Sequence, residues 1–307
     1  MPLDYLDNLV YYNRQSSLQY TRFTFYHTTS EERMKVHLIQ TGVVRVKRSF
    51  LDGSVGAGGM PQFLWKLRTD REWSEPLPIY AWLIEHSEGL ILVDSGDTAA
   101  APPSPLIPTK PHIEPEDELP ARLRKLGVRP QDIRLVVMTH LHSDHVNGLA
   151  GLPKQRVLAS AAELREAHSL SGRLLARLTI HPPAWFAPTP IAFAPQPIGA
   201  FMHSYSLTQA GDVRAVPTPG HTRGHLSVIV QDGDIDLFLA GDVTYSQKAL
   251  LAQQQQGPCT DVVGHRDTLA RVLRHIHERP TVYLPSHDID APARLAQRAT
   301  VAKAVAA

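Results

Sequence analysis

A cluster of histidines directly after an apolar segment constrains this 307-residue chain more than any other feature. Residues 133–145 read IRLVVMTHLHSDH, which is the composition of a buried strand followed by three imidazoles and a carboxylate. In an extended chain, side chains two residues apart lie on one side, so His140 and His142 can bind the same metal ion. Asp144 and His145 follow where the chain must turn, and they can face a second ion. Imidazole and carboxylate are ligands that zinc and its neighbours accept.

Three more candidate ligands follow predicted strands later in the chain. They are His221 in TPGHTRGH, Asp242 at the end of LFLAGD and His287 at the end of VYLPSH. The strands themselves are predicted at 213–217, 235–242 and 281–287. With the cluster these residues make seven ligands, a set that suits two ions sharing one bridging carboxylate. A single histidine at a strand end is most often a capping or core residue, and we interpret most of the other histidines in this way. His203 and His225 stay open, and a supporting role is one alternative for His225.

Composition and charge exclude several classes of protein. The 31 Lys and Arg residues balance 30 Asp and Glu residues, and a net charge of +1 gives no basic field for nucleic acid or an anionic membrane. Cys259 is the single cysteine, so an intrachain disulfide and a cysteine-based metal site are excluded. Because no apolar window is long enough for a membrane span and the N-terminus has no secretory pattern, we expect a cytoplasmic protein.

The order of the predicted elements favours an α/β fold of two mixed β-sheets with helices on their outer faces. Strands come in runs, beginning at residue 36 and continuing as a hairpin of 79–86 with 90–96. Helices are predicted at 116–127, 161–178 and 266–279, with a last helix at 291–307. Residues 1–35 are rich in aromatic side chains and are predicted to form an N-terminal arm, whereas residues 36–307 are predicted to form a single domain.

The motifs together resemble one family. The sequence motifs that carry this resemblance are THLHSDH at 139–145, GH at 220–221, GD at 241–242 and SH at 286–287. In this order they resemble the metallo-β-lactamase superfamily of binuclear metallohydrolases, over roughly residues 36–290. LVDSG at 92–96 is similar to the family's early strand, which ends in a structural aspartate. The resemblance implies an αββα sandwich with the metals at one edge between the two sheets.

The resemblance also implies a role for each ligand. The first ion would be bound by His140, His142 and His221, and the second by Asp144, His145 and His287. Asp242 would bridge the two ions, and Asp94 would orient a ligand loop without binding metal. Sites built from His and Asp accept Zn, Co, Mn or Fe, and we expect two divalent transition-metal ions per chain, with zinc preferred.

Residues around Asp242 separate members of the superfamily. An aspartate here, rather than the cysteine or serine typical of true β-lactamases, argues against a dedicated β-lactamase. Glyoxalase II has the same ligand types but a long helical C-terminal domain, and only 20 residues follow His287. Tyr245 is similar to the tyrosine of quorum-quenching N-acyl homoserine lactonases, which reaches over the metals toward the substrate carbonyl. The alternative for this residue is an ordinary half-buried aromatic.

The reaction that the resemblance implies is opening of the lactone ring of N-acyl homoserine lactones. A metal-bridging hydroxide would attack the carbonyl, and the Tyr245 hydroxyl would help to hold the oxyanion. Asp144 would accept a proton and pass it to the leaving alkoxide. Two alternatives stay open: a phosphotriesterase or aryl-ester hydrolase of the same fold, and a metal-binding protein without turnover.

An acyl tail needs an apolar surface, and two irregular segments rich in aromatic side chains supply candidates. These are Met60, Phe63, Leu64 and Trp65 in one segment, and Trp185, Phe186, Phe201 and Met202 in the other. Local packing is the alternative role for each of them. The expected partner is a small-molecule lactone or ester, and a homodimer is favoured by the resemblance.

Overall fold

The computed structural model describes residues 34–51, 65–66, 68–102 and 109–302. Within these ranges the strands form two mixed sheets, and helices cover their outer faces. This confirms the predicted α/β sandwich. Almost all of the predicted N-terminal arm lies outside the described residues, so the arm stays a prediction.

The first sheet has the strand order β4-β1-β2-β3-β5-β6-β7. Its strands are β1 (Lys35–Val46), β2 (Leu77–Glu85), β3 (Leu90–Val93), β4 (Thr109–His112), β5 (Ile133–Val137), β6 (Val157–Ser160) and β7 (Thr189–Ile191). Strands β2 and β3 form the predicted hairpin, in which Trp82 pairs with Val93. From β3 onward the neighbours β5, β6 and β7 run parallel to one another.

The second sheet has the strand order β12-β11-β10-β9-β8. Its strands are β8 (Tyr205–Ser206), β9 (Val213–Pro217), β10 (Leu226–Asp232), β11 (Ile235–Gly241) and β12 (Thr281–Pro285). Only β11 and β12 pair in parallel, and the other neighbours are antiparallel. The three strands predicted to precede metal ligands are therefore confirmed as members of one sheet.

Helices in the described part of the chain lie outside the two sheets or near their edge. They are α1 (Leu119–Lys125), α2 (Ser143–Val146), α3 (Ala161–His168), α4 (Leu170–Thr179), α5 (Gln247–Leu251), α6 (Val262–Glu278) and α7 (Ala291–Gln297). Leu119 and Leu123 of α1 pack on the outer face of the first sheet, and Leu269 and Val272 of α6 pack on that of the second. No described helix has the length and apolar character needed for a membrane span.

Apolar side chains from both sheets meet in one buried layer. Trp82, Val93 and Val137 of the first sheet pack in the same cluster as Val228 and Leu239 of the second. All five side chains are at most 1% exposed, and burial of this kind is the main force that holds such layers together. The layer fixes the spacing of the two sheets, and it therefore fixes the spacing of the loops at their edge.

Strands that precede the candidate ligands point the same way within each sheet. In the first sheet β3 and β5 are parallel, and in the second β9 and β11 share a direction because both pair antiparallel with β10. The two sets of carboxyl ends meet, since the Leu226 backbone N–H donates to the Thr139 carbonyl over 2.9 Å. The candidate ligands therefore converge at one edge between the sheets.

Two predicted helices differ from those in the structure. The helix predicted at 161–178 is two helices, because the Ser169 side chain accepts a hydrogen bond from the Gly172 N–H and starts α4 anew. The last helix, predicted at 291–307, ends at Gln297, because Arg298 adopts the left-handed conformation with φ of 49°. In both cases the helical spacing of apolar residues continues in the sequence beyond the residue at which the helix ends.

Candidate metal centre

The seven predicted ligands lie together at the common edge of the sheets. Donor atoms of the first predicted triad lie within 4.8 Å of one another, and so do those of the second. The first triad is His140, His142 and His221, and the second is Asp144, His145 and His287. The grouping is the one that the resemblance implied, although the assignment of ions to it stays a proposal.

Asp242 lies between the two triads. Its Oδ1 is 3.4 Å from His145 Nε2, and its Oδ2 is 3.5 Å from His221 Nε2. The same Oδ2 is 3.3 Å from His287 Nε2. One carboxylate thus faces imidazoles of both triads, which is the position that a bridging ligand occupies.

Several donor atoms of the site are buried and have lone pairs that no hydrogen bond satisfies. Among the described residues, His145 Nε2 and Asp242 Oδ1 have no hydrogen-bond partner. His142 Nδ1 lies 3.0 Å from His140 Nε2 and 2.9 Å from His221 Nε2, so three ring nitrogens converge on one point. Burying such groups without partners is costly, and nitrogen and oxygen lone pairs that converge in this way fit a divalent cation.

Protonation in the site follows burial and the nearby carboxylates. Burial, with the neighbouring imidazoles, holds the pKa of His140 and His221 well below the ordinary value, so both are neutral and able to bind metal. Burial would also lower the pKa of His145, but Asp242 and Asp94 outweigh it and hold that pKa well above its ordinary value. A surplus of negative charge therefore surrounds His145, as a cation site requires.

Asp94 supports the imidazole of His145 on its Nδ1 side. Its Oδ2 accepts hydrogen bonds from His145 Nδ1 and Thr139 Oγ1, each over 2.8 Å, and its Oδ1 accepts one from the Thr139 N–H. When the ring is neutral with its proton on Nδ1, the lone pair of His145 Nε2 points toward Asp242 and the other donors of the second triad. Asp94 has a φ of 60°, a conformation that Asp and Asn tolerate better than most residues.

Three further groups hold the ligands in position. One of them, His225, was considered from the sequence, and the other two were not predicted. His225 Nε2 accepts a hydrogen bond from the Asp242 N–H over 3.0 Å, the supporting role left open for it. His287 Nδ1 donates to the Pro78 carbonyl, a backbone contact with no side-chain signal. Glu163 contacts two ligand loops and was missed, although Ser160 and Glu163 have the spacing of a capping box at the start of a helix.

Tyr245 lies beside the ligands. Its ring centroid is 4.8 Å from that of His287 and 6.3 Å from that of His221, and its side chain is buried. The hydroxyl packs on Gly257, whose φ is 69° and where an added Cβ would lie 2.5 Å from the hydroxyl oxygen. Burial, with the carboxylates of Asp242 and Asp144, holds the pKa of Tyr245 well above its ordinary value. The phenol therefore keeps its proton and can donate a hydrogen bond.

The structure does not bring the residues of the predicted apolar pocket together. Met60, Phe63 and Leu64 lie outside the described residues. Phe201 is fully buried and packs on Phe238 at 5.9 Å between centroids, so its assignment to a pocket is wrong and the ring belongs to the outer core of the second sheet. The remaining four are divided: Trp65 and Met202 are exposed, whereas Trp185 and Phe186 pack on the outer cluster of the first sheet.

Comparison with known proteins gives matches over most of the chain. Residues 74–287 match the family model of the metallo-beta-lactamase superfamily. A probable metallo-hydrolase of Mycobacterium tuberculosis is 34% identical over 179 residues, 55% of this chain and 57% of that protein. An N-acyl homoserine lactonase of Agrobacterium fabrum is 26% identical over 224 residues, 69% of this chain and 80% of that protein. The match thus spans little more than half the length of the mycobacterial relative.

One solved structure shares the fold over nearly its whole length. It is an N-acyl homoserine lactone hydrolase with the product N-hexanoyl-L-homoserine bound at its catalytic metal centre. The TM-score is 0.62 at 19% identity, and the aligned region covers 85% of this chain and 96% of the other. At this identity the likeness concerns the fold.

Proposed function

Because this chain belongs to the metallo-beta-lactamase superfamily, we propose that it is a metal-dependent hydrolase that opens the lactone ring of N-acyl homoserine lactones. The observation that carries the proposal is a complete set of seven donors in which Asp242 faces both triads. Two divalent ions, with zinc preferred for nitrogen and oxygen ligands, would be held by this set. The lactonase relative supports the choice of substrate class.

The chain's own residues supply binding, orientation and proton transfer. When bound, divalent ions act as Lewis acids that lower the pKa of water and polarise a carbonyl. The side chain of Asp144 is 19% exposed, whereas those of His145 and Asp242 are 0% and 3% exposed, so this carboxylate can reach the substrate side. There it can accept a proton and return it to the leaving alkoxide. Tyr245 keeps its phenol proton and can donate a hydrogen bond to the oxyanion.

Cys259 takes no part in this scheme. Its Sγ contacts the Gly220 carbonyl, and burial raises the pKa of the thiol to about 11, so the thiolate is scarce at neutral pH. We further propose that the protein acts in the cytoplasm, where a single free cysteine is common, and as a homodimer. The N-terminal arm, residues 1–35, is proposed to contribute to that dimer.

Substrate class is tested by comparing one purified protein on four esters and amides. N-hexanoyl homoserine lactone, a phosphotriester, an aryl ester and a β-lactam are followed with a pH indicator, because each hydrolysis releases protons. We expect turnover of the lactone, abolished by exhaustive chelation and restored by zinc. Efficient hydrolysis of the phosphotriester or aryl ester, with the lactone untouched, would replace this proposal by the second hydrolase class.

Replacing Tyr245 by phenylalanine should lower kcat on the lactone about 10-fold. Loss of one oxyanion donor typically costs about 10²–10³-fold in rate, but bound ions would share the charge here, and the expected loss is smaller. The effect should fall on kcat more than on KM, because the contact strengthens as charge develops. Tyr205→Phe is the matched control, since Tyr205 pairs in β8 at the edge strand of the second sheet. An unchanged kcat in Tyr245→Phe would reduce this residue to packing.

A further inference from the structure

Glu163 is a buried acid outside the seven donors. It lies in the first turn of α3 and is 5% exposed. The helix is capped by Ser160, whose Oγ accepts a hydrogen bond from the Glu163 N–H over 3.0 Å. In a capping box the acid would reach back to the cap residue, but here the carboxylate extends away from the helix. Its two oxygens are therefore available to other segments.

Each oxygen of this carboxylate contacts a different ligand loop. Oε1 accepts a hydrogen bond from the Leu141 N–H over 2.9 Å, and Leu141 stands between His140 and His142. Oε2 accepts one from Thr222 Oγ1 over 2.6 Å, and Thr222 directly follows His221. One side chain thus joins the two loops that carry the first triad.

The start of α3 makes a second connection to the same loop. Ser160 Oγ donates to the Gly224 carbonyl over 2.5 Å, and Gly224 lies so close to the Glu163 backbone that a Cβ there would overlap it. The loop that carries His221 is therefore seated on the first turn of the helix. This packing holds the backbone of Glu163 in place independently of the contacts that its carboxylate makes.

The second triad is held by other groups. Asp94 fixes His145, and the Pro78 carbonyl fixes His287. Among the described residues, no ion pair involves Glu163, and its carboxylate accepts hydrogen bonds from Leu141, Thr222 and the Gly224 backbone, all in the loops of the first triad. A change at Glu163 should therefore act on one triad and spare the other.

We propose that Glu163 is the positioning residue of the first triad: by joining Leu141 to Thr222, it sets the distance between the loop of His140 and His142 and the loop of His221. The proposal rests on the metal centre put forward under Proposed function. Ligands whose supporting contacts are removed typically bind metal 10- to 100-fold more weakly. Glu163→Ala should weaken one of two metal equivalents by about this factor and leave the other unchanged.

Cobalt(II) titration of metal-free protein tests this without substrate, by visible absorption and by the number of equivalents bound. Glu163→Gln should bind both equivalents nearly as wild type does, because the amide oxygen can accept from the Leu141 N–H and the amide N–H can donate to Thr222 Oγ1. Rescue by glutamine would show that position, not charge, matters. Glu166→Ala is the control, since Glu166 lies on the same helix and its carboxylate accepts one hydrogen bond among the described residues, from the Arg223 N–H over 3.3 Å.

Each outcome decides the matter. Two equivalents of wild-type affinity and spectrum in a folded Glu163→Ala protein would overturn the proposal. If that variant does not fold, Thr222→Val replaces it, because valine removes the hydroxyl that donates to Glu163 Oε2. The same site should then weaken several-fold, and an unchanged titration overturns the proposal. Wild-type protein that binds no cobalt would instead contradict the metal centre itself.

Discussion

Asp242→Ala is expected to lose both metal equivalents together and, with them, nearly all hydrolysis. The carboxylate of Asp242 lies near His145 and His287 of the second triad and near His221 of the first, so its loss removes a donor from both groups. The loss should exceed the 10- to 100-fold that removal of a mere supporting contact costs. Elemental analysis of protein purified without chelator should give about two equivalents for wild type and close to none for the variant.

Asp234→Ala is the control for this measurement. Asp234 is exposed in the turn between β10 and β11, at the opposite end of the strand that Asp242 follows. Its metal content and activity should equal those of wild type. Retention of two equivalents in Asp242→Ala would rule out a bridging role, and retention of one would make it a ligand of a single ion.

The second large effect is expected from Asp94→Asn, a change of almost no volume. The asparagine oxygen can still accept from the Thr139 N–H, but its amide group would then donate toward His145 Nδ1. His145 would move its proton to Nε2, the nitrogen that has to bind metal. We expect the affinity of the second site to fall 10- to 100-fold, measured by zinc titration against a chelating dye.

This substitution keeps the backbone unstrained, because asparagine also tolerates the φ of 60° at this position. Asp97→Asn is the matched control. Asp97 is a buried neighbour whose Oδ1 accepts from Asn147 Nδ2 and the Thr98 N–H, contacts that an amide oxygen reproduces. Unchanged zinc affinity in Asp94→Asn would mean that His145 does not bind metal through Nε2.

The convergence of the seven candidate ligands could be predicted from sequence because these donors are chemically distinct and come after apolar strands. His140, His221, Asp242 and His287 come after β5, β9, β11 and β12, and parallel or alternating strands bring such ends to one edge. The β2–β3 hairpin could be predicted as well, because Ser87, Glu88 and Gly89 separate two apolar runs. Local patterns with clear boundaries were therefore sufficient for these parts.

Contacts between distant segments were not predictable in the same way. The Pro78 carbonyl that holds His287 lies 209 residues away in the chain and is a group that every residue carries. Phe201 stands in an irregular segment, where no period tells which side of the chain faces the core. The role of Glu163 depends on a carboxylate reaching across to Leu141 and Thr222, which no spacing in sequence encodes.

The donors reach the metal centre from both sheets, His140 to His145 from the first and His221, Asp242 and His287 from the second. An ion held by this set would bind the folded chain and not the unfolded one, because the donors meet only after the two sheets have packed. Thermodynamic linkage then makes folding stability depend on free metal concentration, by about 2.7 kcal/mol at 100 times the dissociation constant. Removal of the ion would therefore lower the free energy of unfolding of this protein as well as its activity.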